Sequence, residues 1–139
     1  MPFRRILLLL TLILPVKLLA QGVNFDGDWL GTVTVKDQGS LQMRFVIKDG
    51  KYQQFYYNEG EWSPAGSRPM EYYREYGDIA MLGWINSGGI WTENQSYSLT
   101  WVDANTVQIL WARHVTNRSP GENGDSWNII GSGELKRQN

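Results

Sequence analysis

Residues 25–36, FDGDWLGTVTVK, set a tryptophan between a glycine turn and a run of strict alternation. Trp29, Gly31, Val33 and Val35 fall on one side of an extended chain, and Thr32, Thr34 and Lys36 on the other. One apolar and one polar side with a period of two is the pattern of a half-buried β-strand. The next run, LQMRFVIK (41–48), repeats it, with Leu41, Met43, Phe45 and Ile47 opposing Gln42, Arg44 and Lys48. Asp49-Gly50 then leads into KYQQFYY (51–57). This dipeptide readily supplies the positive φ angles of a two-residue hairpin, so the second and third strands are expected to be antiparallel neighbours.

The same reading continues through MEYYREY (70–76), DIAMLGWI (78–85), IWTENQSYSLTWV (90–102), TVQILWARHV (106–115) and SWNIIGSGELKR (126–137), for eight strands in all. DQGS, DG, NEG, NSGG, DAN and SPGENGD separate them as turns. No stretch has the spacing of an amphipathic helix, and the 15 glycines would penalise one. Short antiparallel strands in chain order predict an all-β fold, an eight-stranded up-and-down barrel. A two-sheet β-sandwich has the same alternation and is the alternative.

Upstream, MPFRRILLLLTLILPVKLLAQG has Arg4 and Arg5 at its head, an apolar stretch, and Leu18 and Ala20 at the positions that precede a cleavage site. This is the pattern of a signal peptide over residues 1–20, followed by a single domain over 21–139 in the periplasm or outside the cell. Pro15 and Lys17 interrupt the run well before the roughly 20 residues a membrane span needs, so an integral membrane protein is not expected. There is no cysteine, so a core of this size must hold by packing and backbone hydrogen bonds, and a bacterial origin is favoured. Two N-x-S triplets, at Asn94 and Asn117, weigh slightly the other way. Without Arg4, Arg5 and Lys17, the 13 basic residues become 10 against 14 acidic ones, a balance that argues against nucleic acid as a partner.

Gly27-Asp28-Trp29, at the head of the first strand, resembles the G-x-W signature of the calycin superfamily of lipocalins, fatty-acid-binding proteins and avidins. The resemblance implies a small barrel in which Trp29 lies across the closed end and a basic side chain from a late strand packs on it. Arg137 is the first candidate for that role and Arg113 the second, by attraction of a guanidinium to an indole face. Only KDQGS separates the first two strands, where fatty-acid-binding proteins insert two helices, and the chain ends at KRQN without the long helix of lipocalins. Leu30, Gly31 and Thr32 follow the tryptophan in place of the polar residues that avidins set around biotin, so biotin is not expected.

Seven tryptophans and seven tyrosines exceed what a small core requires. Parity groups Val107, Ile109, Trp111, Arg113 and Val115, and on the preceding strand Tyr97, Leu99 and Trp101, as facing surfaces. Tyr97, Trp101 and Trp111 are therefore candidate walls of a ligand cavity, and Arg113 its polar anchor. A buried arginine needs a partner, and Glu93, the face of Trp29 or an anionic ligand group would each serve. Trp62, Arg68, Tyr72 and Tyr73 are read as a loop at the barrel mouth. His114 falls on the side opposite Trp111. The pairs Glu59/Glu61 and Glu71/Glu75 are read as solubilising, and one histidine without cysteine provides no usual metal cluster, so neither an enzyme nor a cofactor is expected. The expected function is binding of a small apolar or aromatic molecule in the interior. The alternative is surface recognition of a polysaccharide or a partner protein at the cell envelope.

Overall fold

The structure is a computed structural model that describes residues 22–88, 90–117 and 125–139. The segment read as a signal peptide lies outside the described residues, as do Arg118 and Ser119 of the second sequon and residues 119–124 of the SPGENGD turn. Nine strands are found among the described residues: β1 (Gly27–Val35), β2 (Gly39–Lys48), β3 (Lys51–Asn58), β4 (Glu61–Pro64), β5 (Tyr72–Tyr76), β6 (Ile79–Gly88), β7 (Trp91–Asp103), β8 (Thr106–Asn117) and β9 (Asp125–Arg137). Among the described residues, no helix is long and apolar enough to cross a membrane.

The strands form one antiparallel sheet in the order β4-β3-β2-β1-β9-β8-β7-β6-β5. Chain neighbours pair throughout except at one place, and β1 pairs with β9, with Trp29 opposite Arg137 and Val35 opposite Gly131. The turn chemistry explains the hairpins. Asp49 and Gly50 have φ of 51° and 72°, and Glu59 and Gly60 have 50° and 89°. Two consecutive positive φ angles give the turn whose twist matches its flanking strands.

The inner face carries the core. Trp29, Val33, Phe45, Leu82, Leu99, Val107 and Leu135 are fully buried there. The sheet curls so that its two halves meet face to face: the rings of Phe45 and Tyr97 lie 4.9 Å apart, edge to face. Leu41, which shares parity with the buried residues of β2, is exposed near the strand's start.

Two expectations need correction. The sheet has nine strands, because the four residues of β4 pair with β3, Tyr57 opposite Trp62. It is also not a closed eight-stranded barrel, since β4 and β5 are its edges and do not pair with each other. They are the shortest strands, and residues 65–71 run between them without regular structure. Pro64 and Pro69 lack backbone donors, and Met70 has a φ of 50°, so this stretch cannot extend the ladder. The continuity of the sheet likewise sets aside the two-sheet sandwich.

Candidate functional site

At one end of the curled sheet, the Arg137 guanidinium lies 4.3 Å from the centre of the Trp29 ring. Its Nε donates to the Ala104 carbonyl at 2.6 Å and its Nη2 to the Asn24 carbonyl at 2.8 Å, and Nη1 donates to the carbonyl of Asp26. Trp29 Nε1 donates to the Phe25 carbonyl at 2.8 Å. Gly27 is needed for this arrangement, because a Cβ there would overlap Arg137 Nη1, and its φ of 154° is one that side chains rarely adopt. Trp101 belongs to this end too, edge-on to Phe25 at 5.6 Å and to Trp29 at 6.3 Å. It does not join Tyr97, Trp111 and Arg113.

Those three meet at a polar network on the inner face of β7 and β8. Glu93 Oε1 accepts from Arg113 Nε at 2.6 Å and from Gln95 Nε2 at 2.8 Å, and Oε2 accepts from Trp91 Nε1 at 3.1 Å. Gln95 Oε1 accepts from the Tyr97 hydroxyl at 2.7 Å and from Trp111 Nε1 at 3.2 Å, and Gln54 Nε2 donates to the Tyr97 hydroxyl at 3.0 Å. Burial alone would raise the Glu93 pKa; the hydrogen bonds from Arg113, Gln95 and Trp91 outweigh it, and the carboxyl sits below its ordinary value. Burial pushes the Tyr97 hydroxyl well above the ordinary tyrosine range. Of the partners open to Arg113, the carboxylate of Glu93 is the one it takes. Glu93 is one of the partners expected for Arg113, whereas Gln95 shares the parity of Tyr97 but, like Gln54, is polar and gives no sign of facing inward.

The residues read as a mouth loop separate into four settings. Arg68 is on the loop between β4 and β5, its guanidinium 4.7 Å from the Trp84 ring and donating from Nη2 to the Tyr56 hydroxyl at 3.1 Å. Beneath it, the Tyr52 hydroxyl donates to the Gly83 carbonyl at 2.8 Å, a side-chain bridge from β3 to β6 across the open seam. Tyr73 is buried on the inner side and bonds Glu75 through its hydroxyl, while Tyr72 pairs with Gly83 and packs over it on the outer side. Trp62 is elsewhere, on the outer face of β4.

That outer face is the second concentration of aromatics. The registers put Leu30, Arg44, Phe55 and Pro64 in one row across β1–β4, with Tyr57 and Trp62 opposite each other beside it. The Tyr57 and Trp62 rings stand 5.2 Å apart at 53°. With Leu30 and Gln42 they line an open groove of about 290 Å³. Tyr57 is 56% exposed. Arg44 lies 4.9 Å from the Phe55 ring and 5.9 Å from that of Trp62, held by two bonds to Asp28 at 2.9 and 2.6 Å. The hydrogen bond to Asp28 raises the pKa of Arg44, whose guanidinium is charged in any case.

His114 is exposed on the outer face, its Nδ1 2.6 Å from Asn128 Oδ1. Glu71 Oε1 accepts from the backbone of Arg68 at 3.1 Å. Among the described residues, no group of three or more His, Cys, Asp or Glu could hold a metal ion.

No family model, no curated protein and no solved structure matches this chain.

Proposed function

We propose that this protein is a non-catalytic recognition module that binds a glycan on the outer aromatic face of β1–β4. The observation that carries the reading is the gathering of Phe55, Tyr57 and Trp62, with Leu30, on the solvent side of the sheet, away from the core. Contiguous apolar surface facing water usually marks a binding surface. Aromatic rings offer an apolar wall to the C–H faces of sugar rings, and Gln42 and the Arg44–Asp28 pair supply polar groups at the rim for hydroxyls. The groove, at about 290 Å³, is near the lower limit of ~300 Å³ for small-ligand sites, a scale suited to a short stretch of glycan.

The interior offers less to a ligand. The pocket beneath the β4–β5 loop encloses about 70 Å³. Tyr97, Trp111 and Arg113 already direct their polar groups to Gln54, Gln95 and Glu93. Trp101 packs at the far end. A calycin-like relationship belongs to the same proposal, supported by the Gly27-Asp28-Trp29 start and Arg137 over Trp29. The basic head and apolar run near the N-terminus support export, which would put the glycan in the cell envelope or its surroundings.

Retention on immobilised bacterial and plant polysaccharides tests the reading. Trp62→Ala and Tyr57→Ala should each weaken binding about tenfold or more, the scale of losing an interface anchor. Trp111→Phe should leave it unchanged. Binding that survives both outer substitutions, or that fails with the inner one alone, would overturn the proposal.

A further inference from the structure

The loop between β4 and β5 covers a pocket whose chemistry is separate from the outer groove. Trp84 is 4% exposed, and its indole Nε1–H is buried with no hydrogen-bond partner among the described residues. Arg68 Nε, on the guanidinium stacked over that ring, is buried and without a partner in the same way. Both residues line one pocket of about 70 Å³, together with Tyr52, Gln54 and Glu71. The ion pairs among the described residues join Arg44 to Asp28, Arg113 to Glu93 and Lys136 to Glu134, so Arg68 has no carboxylate partner among them.

Two buried donors, one of them cationic, ask for an acceptor, and a negatively charged one gains most from the guanidinium. We propose that this pocket binds a small planar monovalent oxyanion, of formate, acetate or nitrate size, with one oxygen accepting from Arg68 Nε and another from Trp84 Nε1. At about 70 Å³ the pocket is far smaller than the roughly 300 Å³ at which drug-sized sites begin, which suits such an anion. Glu71 narrows the choice further. Its Oε1 is engaged by the Arg68 backbone, but its charge borders the same space and opposes any anion, a divalent one such as sulfate more strongly than a monovalent one. The ligand would tie the loop to β6 across the seam where β4 and β5 do not pair, beside the Tyr52–Gly83 bond, so binding should stiffen the seam.

The test follows the Trp84 indole Nε1–H resonance by NMR while sodium formate, acetate, nitrate or sulfate is added at constant ionic strength. The expected result is a saturable shift of that resonance with the three planar monovalent anions and none with sulfate. Arg68→Gln should weaken the effect about tenfold or more, as loss of a charge-assisted bond does. Arg68→Lys keeps the charge but not the Nε donor, and should recover only part of it. No saturable shift in the unmodified protein would overturn the proposal, whether or not the variants fold. A shift of equal size with sulfate, or a long-lived water at Trp84 Nε1 that no anion displaces, would overturn it as well.

Discussion

Replacing Glu93 by Gln removes the charge at the centre of the inner network while keeping its size. The carboxylate accepts three bonds, at 2.6, 2.8 and 3.1 Å. A glutamine keeps one carbonyl acceptor and turns an NH₂ towards groups that are themselves donors. Hydrogen bonds to charged groups are each worth about 1.5–3 kcal/mol, and a buried donor left without a partner costs about 1–3 kcal/mol. The Arg113 side chain is 29% exposed, so water relieves part of its loss. A net destabilisation of about 2 kcal/mol follows, a large share of the roughly 5–15 kcal/mol that holds a domain of this kind together. The pH dependence gives the sharper reading. The folded-state pKa of Glu93 lies below its ordinary value, so its contribution is fully present above the unfolded value of about 4.3 and is lost as the pH falls through the folded one. Urea unfolding of both proteins at pH 7, and then at steps below about pH 4, should therefore show a gap that closes on acidification. A gap that keeps its size at low pH, or one under about 0.5 kcal/mol at neutrality, would refute the reasoning.

Arg137→Ala should cost about 2–4 kcal/mol in denaturant unfolding, from the loss of bonds to three carbonyls and of the stack on Trp29, with Arg137→Lys recovering less than half; a change within experimental error would contradict the role given to this end of the sheet. Tyr52→Phe removes the bond to Gly83 and should cost about 1 kcal/mol, with faster hydrogen exchange in β5 and β6 and little change in β1 and β9. Uniform acceleration over the whole sheet would contradict a local role at the seam.

Much of the all-β fold is legible because strand alternation and turn chemistry are local. Trp29, Val33 and Val35 alternate with exposed Thr32, Thr34 and Lys36, and the φ angles of Asp49 and Gly50 are those that Asp-Gly favours. The short β4 was not legible, because EWSP has too few residues to show a period and ends in proline. The pairing of β1 with β9 is not written in either strand either. It joins the two ends of the meander and leaves the break at residues 65–71, where Pro69 and the positive φ of Met70 stop the ladder. Site residues were harder to read for a related reason. Parity assigns a side but not a height along the barrel-like interior, so Trp101, at the Trp29 end, looked like a neighbour of Trp111. The sequence assigns no face on KYQQFYY, where Phe55 and Tyr57 alternate with inward Gln54. There Gln54 points in beside Tyr52 while Phe55 and Tyr57 point out with Gln53, a division that hydropathy does not reveal.

The most direct test of the functional reading is a chemical-shift map of the ¹⁵N-labelled protein during titration with an oligosaccharide cut from whichever polysaccharide retains it. Shifts concentrated on Leu30, Gln42, Arg44, Phe55, Tyr57 and Trp62 are the predicted result. Shifts centred on Tyr97, Trp111 and Arg113, with the outer face of β1–β4 unmoved, would contradict it and return the interior to first place.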